Sequence, residues 1–318
     1  MVEYAETVVH RPEIPELPKI RDGKVRSIFN FAPGRLLMVA SDRISARDKV
    51  LKPGIPGKGV VLNTMSTFFF TQTRHLAPNH YMTEEELTFR QQQRLQELYH
   101  AYPWLVGRAM VVRTGAVVPI EYIFRVRIAG FFYKEYTQAG GPENGARVLG
   151  YDCPAGMKDG DQFPETIFTP STKAPQGEHD ENLTYDEAIA YILEKTDLNE
   201  TKARRVLNWG SVRGIEVVRW AVKYVKARGF VLADTKMEVL LLDDGTELIC
   251  DELLTPDSSR FFKLDEYERG VIANFDKEPV RQELDKMWNG RGTPPRLPRD
   301  VVEATSNRYQ IIHDALVD

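Results

Sequence analysis

The sequence predicts a mixed α+β protein, and three observations carry that prediction. Strand-like runs cluster instead of alternating one by one with helices. Two Thr-x-x-Glu capping boxes open helical stretches. Two long apolar runs meet at the turn "DDG", which reads as a hairpin. At 318 residues the chain is long for a single core, which favours two lobes.

The elements follow in order. Residues 1–20 are a proline-rich lead-in. "VRSIFNF" and "RLLMVASDRIS" are strands joined by the turn "APG". Residues 83–100 read as one helix, capped by Thr83 and Glu86 with acids in its first turn. "RAMVVRTGAVVPIEYIFRVRIAG" holds two strands around "RTGA". In the second, the period of two places Glu121, Arg125 and Arg127 on one face. "QAGGPENGARVLG" reads as loop or hairpin. Thr184 and Glu187 box the start of a helix through "YDEAIAYILEK". A third helix spans roughly 210–228, with Ile215, Val218, Val222 and Val225 on one face and Gly229 at its end. "FVLADTKMEVLLLDDGTELICDE" is the hairpin, and a last helix runs near "VVEATSNRYQIIHDALV".

Composition narrows the function. The balance of 42 basic against 46 acidic residues, net −4, argues against nucleic acid or an anionic membrane as a partner. The first residues lack the basic and apolar regions of a secretory signal, and no run of about 18 apolar residues occurs. A cytoplasmic protein is expected. Cys153 and Cys250 match no metal or redox spacing and are expected as one buried and one partly exposed thiol.

Several stretches carry chemistry. Asp234, Lys236 and Glu238 fall at alternate positions of a strand and share a face, opposite Ala233, Thr235, Met237 and Val239. The return strand ends in Asp251 and Glu252. Carboxylates around a lysine suit a divalent metal bound together with phosphates, or a solvated face with cross-strand ion pairs. "DGKVRS" sets Gly23 beside Lys24 and Arg26, a turn able to clamp a polyphosphate, although no Walker A loop is present. "PGIPGKGV", with Lys58, is a weaker anion turn of the same kind. "LTPDSSRFF" offers Asp257 and Arg260, the latter able to fork onto a phosphate or carboxylate or to make a structural ion pair. "TPSTKAPQGEHDEN", residues 169–182, is a polar loop whose composition leaves surface and binding readings open. Its His179 has no second histidine at metal spacing. There is no GxSxG elbow and no Cys–His signature, so acyl-enzyme chemistry has no support.

Taken together, "GKVRSIF", "LLMVASDRISA", "IPGKGVVLN", "VPIEYIFR", "YKEY", "FTPSTKAPQGEHDENL", "LADTKMEV" and "DELLTPDSSRF" occur in the order found in the SAICAR synthetase family. The resemblance runs from about residue 20 to the C-terminus, and "FTPSTKA" with "GEHDEN" and "LTPDSSRF" is its most specific part. It implies a two-lobed, kinase-like and ATP-grasp-like α+β ligase with antiparallel sheets and flanking helices. Residues 1–112 would form a β-rich lobe and 113–318 a second α+β lobe, with ATP between them. The implied reaction joins the carboxyl group of carboxyaminoimidazole ribonucleotide, or a related azole ribonucleotide, to L-aspartate through an acyl phosphate. ATP and Mg²⁺ are the implied cofactors. Whether the chain is a monomer or a homo-oligomer stays open.

The resemblance also assigns residues. Gly23, Lys24 and Arg26 look like the phosphate clamp, with Asp234 beside them. Val112 and Arg113 look like the hinge that meets adenine through the backbone. Lys236, Glu238 and Asp251 look catalytic, the two acids holding metal. Arg125, Asp257, Arg260, Lys277 and Arg281 look like acceptor contacts. Lys173, His179 and Asp180 place the polar loop over the amine substrate as a lid.

The chain departs from the family at one end. The pattern "VVRGYxxGSxWKEY" is "IFRVRIAGFFYKEY" here, so Phe131 stands where a serine would contact the acceptor phosphate. Val126 and Arg127 replace a Gly–Tyr pair, and Arg47 and Lys49 replace an aromatic and an apolar residue. Arg127 and Arg47 are candidates to restore the phosphate contact. The split between kept ATP-side residues and altered acceptor-side residues suggests a related azole nucleotide, as in nucleoside-antibiotic synthesis. The alternatives are the housekeeping purine reaction and, from another class, an inactive nucleotide-binding module.

Overall fold

The computed structural model describes residues 8–46, 49–173, 180–275 and 277–317. Along the chain, β1 (Lys19–Asp22), β2 (Arg26–Ala32) and β3 (Arg35–Ala40) are followed by a small hairpin of β4 (Ile44–Ala46) and β5 (Lys49–Leu51). Then come α1 (Lys58–Gln72), α2 (Phe89–Ala101), β6 (Ala109–Arg113), β7 (Ala116–Val117) and β8 (Ile120–Arg127). The middle holds α3 (Gly130–Gln138), α4 (Gly141–Asn144), β9 (Ala146–Val148), β10 (Tyr151–Cys153), β11 (Gln162–Phe168) and β12 (Ser171–Thr172). The rest is α5 (Tyr185–Lys195), α6 (Glu200–Lys226), β13 (Phe230–Leu241), β14 (Glu247–Cys250), β15 (Ser259–Lys263), α7 (Leu264–Glu268), α8 (Glu278–Met287) and α9 (Arg299–Val317).

Two antiparallel sheets organise the molecule. The first runs β1-β2-β3-β6. The second runs β11-β8-β13-β14, with β12 on β8 and both β7 and β15 on β13. Helix α6 lies against the second sheet, and two glycines bring it close. A Cβ on Gly210 would sit 2.3 Å from the Tyr122 ring, and one on Gly214 would sit 1.9 Å from the Phe124 ring. Glycine inside a helix costs about 1 kcal/mol relative to alanine, offset here by the packing of both rings. The largest apolar cluster takes Met38, Met110 and Val112 from the first sheet, Phe69 from α1, and Tyr122, Phe124, Met237 and Val239 from the second. One core therefore spans both sheets and holds the cleft between them.

The structure revises some expectations. Residues 83–100 are not one helix. The Thr83–Glu86 box closes only a short 3₁₀ turn, Leu87 is extended, and Thr88 with Gln91 caps α2 afresh. Helix α6 begins ten residues earlier than its apolar face suggested, where the Asn199 side chain accepts from the Lys202 N–H. Its first turns are charged and carry little periodic signal. Both thiols are buried, Cys153 as well as Cys250. Among the described residues no helix is long and apolar enough to cross a membrane.

Candidate active site

The strand β13 sets the site because it pairs with β8 on one side and with β14 and β15 on the other. Its ladder with β15 shifts register between Leu232 and Asp234. Thr235, Met237 and Val239 are buried beneath the sheet, whereas Lys236 and Glu238 face the cleft. Ala233 does not share the Met237 face as strict alternation required. The register shift places it with Val231 and Phe262 in a separate cluster.

Between the sheets lies a cavity of about 440 Å³. One end is apolar, walled by Ile28, Leu36, Met38, Val112 and Leu240. The other is charged and collects Lys24, Arg26, Glu121, Lys173, Asp180, Lys236, Glu238, Asp251, Glu252, Asp257 and Lys277 from distant parts of the chain. Apolar lining together with a cluster of cations and carboxylates suits the base and the phosphates of a nucleoside triphosphate.

The charged end is organised as paired groups. Lys236 bonds Glu121 and Lys173 bonds Glu238. Arg26 reaches both Asp251 oxygens, at 3.0 and 3.1 Å, and lies 2.6 Å from Glu252. Burial works against the charge on Lys236, but Glu121 and Glu238 overcome it and raise its pKa, so the ammonium persists. Burial and the neighbouring charge of Asp251 push the Glu238 carboxyl up, against the pull of Lys173 and Lys236. Burial would also raise Asp251, but Arg26 holds it below its ordinary value. The two carboxylates are thus close enough to repel and are driven apart in acidity. Asp251 also sits at φ +69°, in the left-handed region that a non-glycine residue rarely adopts. Its side chain is aimed by the turn that ends β14.

A second knot fastens the cavity to the helices. Asp257 accepts from Lys58 at 2.7 Å and from the Tyr309 hydroxyl at 2.5 Å, and Lys277 lies 3.3 Å away. Lys58 is fully buried at the start of α1.

A third group lies apart. Asp234 stands opposite Arg125 on β8 and Arg260 on β15. Its carboxylate lies 2.5 Å from Arg260 and 3.6 Å from Arg125. Arg125 also donates to Thr169 at 2.9 Å. One carboxylate between two guanidinium groups leaves a net positive charge. It sits beneath the start of α3, where a Cβ on Gly130 would meet Arg260 at 2.4 Å and so displace it.

Of the predicted residues, Gly23, Lys24, Arg26, Val112, Arg113, Lys173, Asp180, Lys236, Glu238, Asp251, Asp257 and Lys277 line the inter-sheet cavity. Asp234 does not. It is held in the arginine group by its position between β8 and β15, apart from the cavity that Gly23, Lys24 and Arg26 line. Arg125 and Arg260 belong to that same group. Arg281 lines an adjoining cavity of about 450 Å³ with Lys24, Ser45 and Lys277. His179 and Arg47 lie outside the described residues. The Arg113 N–H donates to the His80 carbonyl at 2.9 Å, so it is not free to meet a base. Arg127 does not reach the arginine group. It bonds the Tyr267 hydroxyl, the Gly160 carbonyl and Gln162. Sequence reasoning assigned no role to Glu121 as the partner of Lys236, although the alternation of β8 had already put it on the charged face. His80 and Tyr309 carried no signal at all.

The profile of the SAICAR synthetase family matches residues 19–295. The chain belongs to the SAICAR synthetase family. The phosphoribosylaminoimidazole-succinocarboxamide synthase of Neisseria meningitidis serogroup A is 38% identical over 301 residues, covering 92% of this chain and 95% of the relative. That of Xanthomonas euvesicatoria is 38% identical over 325 residues, covering 98% of both chains. The SAICAR synthase of Saccharomyces cerevisiae, solved in complex with SAICAR, superposes with a TM-score of 0.75 at 30% identity, over 97% of this chain and 98% of that one. Membership in the SAICAR synthetase family makes the chain an ATP-dependent ligase with the α+β architecture of those structures.

Proposed function

We propose that the chain uses ATP to activate the carboxyl group of an aminoimidazole-type ribonucleotide and joins it to the amine of L-aspartate. The names of the curated relatives favour carboxyaminoimidazole ribonucleotide as the acceptor, the purine-biosynthesis reaction. The observation that supports this reading is the convergence of Lys236–Glu121, Lys173–Glu238 and Arg26–Asp251 at the charged end of one cavity whose other end is apolar.

The lobes 1–112 and 113–318 hold the nucleotide between them. Adenine lies in the apolar slot beside Val112, and Gly23, Lys24 and Arg26 face the phosphates. The acceptor carboxylate forms a bond to the γ-phosphorus as the β–γ bridge breaks and ADP leaves. The aspartate amine then attacks the acyl carbon, phosphate departs, and the nitrogen loses a proton. Both partners of the first step are anions, so the lysines lower their repulsion and hold them in line. Glu238 and Asp251 fit a hard divalent cation such as Mg²⁺. Two carboxylates suffice when phosphate oxygens complete the shell, and among the described residues no larger His/Cys/Asp/Glu cluster offers a closed cage. When bound, the cation neutralises charge on the phosphate oxygens. Arg125 and Arg260, oriented by Asp234, hold the acceptor phosphate near the start of α3. Lys277 and Arg281 face its other side, Asp257 fixes Lys277, and Lys173, His179 and Asp180 approach the amine.

A second acceptor, a related azole ribonucleotide of nucleoside-antibiotic synthesis, is favoured by one observation. Phe131 occupies the first turn of α3 and is 45% exposed, at the position where the resemblance places a serine. ADP release by the purified protein with aspartate and carboxyaminoimidazole ribonucleotide tests both readings. Turnover at a rate ordinary for biosynthetic enzymes supports the purine reaction. ADP release only with another azole carboxylate supports the second acceptor. No amine-dependent ADP release with either would leave a nucleotide-binding module and overturn the ligase reading.

A further inference from the structure

A second large cavity, about 850 Å³, lies on the other side of the glycine turn from the inter-sheet cleft. Gly23 lines both. The second cavity is walled by His10, Arg11, Arg43, Lys52 and Arg296, by the apolar Val50, Leu51 and Pro53, and by one acid, Asp22. None of these cations is used by the reaction proposed above.

The fold assembles them from four separate segments. Val9 is tied to Asp42 twice, its N–H donating to the carboxylate and its carbonyl accepting from the Asp42 N–H, each at 2.8 Å. That tether delivers His10 and Arg11. Lys52 and Arg296 are set side by side by a backbone bridge, with the Leu297 N–H donating to the Lys52 carbonyl at 2.7 Å. Arg43 follows β3 and is 91% buried, being 9% exposed. Its Nε donates to Ser41, but its Nη2 has no hydrogen-bond partner. Arg11, Lys52 and Arg296 make no side-chain hydrogen bond or ion pair among the described residues. Asp22 is already engaged by Ser27 and Lys19. Like charges gathered in one concavity repel, and a buried donor without an acceptor is costly. Burial, together with the charge of Arg11, pulls the Arg43 pKa below its ordinary value against the attraction of Asp22. The wall is therefore under-compensated, and an anion would relieve it.

We propose that this cavity binds a phosphate-bearing small molecule, its phosphate on Arg11, Arg43 and Arg296 and any organic part against Val50, Leu51 and Pro53. Its volume far exceeds that of a lone phosphate, which favours a sugar phosphate. Because the Asp22–Gly23 turn is shared, the occupant also stiffens the loop that carries Lys24.

Calorimetric titration of the full chain, held saturated with Mg²⁺ and a non-hydrolysable ATP analogue, tests the site. Ribose 5-phosphate and inorganic phosphate are the probes. The expected result is a binding event that persists in Arg260→Ala, which disables the acceptor end, and weakens about tenfold or more in Arg11→Glu and in Arg296→Glu. Both arginines are exposed, so thermal unfolding and turnover of the two variants should match the parent. Tighter binding of ribose 5-phosphate than of phosphate assigns the site to an organic phosphate. Equal binding assigns it to free phosphate. Absence of binding, its loss in Arg260→Ala alone, or its survival in both charge-reversed variants would overturn the proposal.

Discussion

Lys236 shows how much one side chain decides. It projects into the cleft, is paired with Glu121, and has the charges of Glu238 and Asp251 nearby. In the proposed reaction, replacing Lys236 with alanine would remove the cation that lowers repulsion between the two reacting anions. We expect Lys236→Ala to abolish ADP formation, and Glu238→Ala to do the same. The fold should survive, because a buried Glu121 that loses its lysine takes up a proton instead of remaining charged. Circular dichroism alongside a coupled ADP assay checks this, and normal turnover in either variant would remove the strand from the active site. Arg26 differs, since it compensates two acids at once while only 9% exposed. Breaking such a buried pair from one side costs about 3–5 kcal/mol. Arg26→Ala should therefore lower the denaturation midpoint in urea as well as activity. At this scale the sequence was informative where alternation held. Lys236, Glu238 and Asp251 were legible from a strand, a turn and a return strand. Asp234 was not, because a register shift against β15 and its two arginine neighbours moved it to another group.

Helix α6 and the sheet it covers depend on two missing side chains. Gly214→Ala would drive a methyl group into the Phe124 ring, and Gly210→Ala into Tyr122. Helix propensity alone favours alanine by about 1 kcal/mol, while overpacking typically costs about 1–3 kcal/mol. A contact of 1.9 Å puts Gly214→Ala at or above the upper end, so we expect net destabilisation, larger for Gly214 than for Gly210 at 2.3 Å. Urea denaturation would show it, and a gain in stability would mean that α6 can shift away from β8. The helix itself was only half legible. Its apolar face announced the C-terminal part, but the charged turns from Glu200 onward are recruited by tertiary contact, Arg205 bonding the buried Glu247 at 2.7 Å. Helix α1 gave no readable signal, since "KGVVLNTMSTFFFTQ" is apolar and β-branched on several sides and is helical because it is buried among other elements.

For the whole molecule, Asp257 is the point where the parts meet. It joins Lys58 at the start of α1, Tyr309 on α9 and Lys277 before α8. Burial would raise its pKa, but Lys277 and Lys58 hold it well below the ordinary 3.8. A depressed carboxylate stabilises the folded chain above its unfolded pKa, and that contribution is lost as pH falls below it. Stability should therefore decline steadily as pH drops below about 4. In Asp257→Asn the chain should be weaker at neutral pH and its acid decline shallower, as seen in thermal unfolding across an acid pH series. An unchanged acid limb would show that other carboxylates govern it.

The chain by itself determined the α+β class, the hairpin of β13 and β14, the capped start of α5 at Thr184, and membership in the SAICAR synthetase family. Those features rest on local periodicity, turn chemistry and contiguous motifs, all of which act within a few residues. Only the tertiary structure decided which cations meet which carboxylates: Lys236 with Glu121, Lys173 with Glu238, Asp234 with the arginines of two neighbouring strands. It alone also brought Arg11, Arg43, Lys52 and Arg296 to one wall. Pairings across 26 to 115 positions follow from register and from helices that pack by burial, and neither is written in any single stretch of sequence.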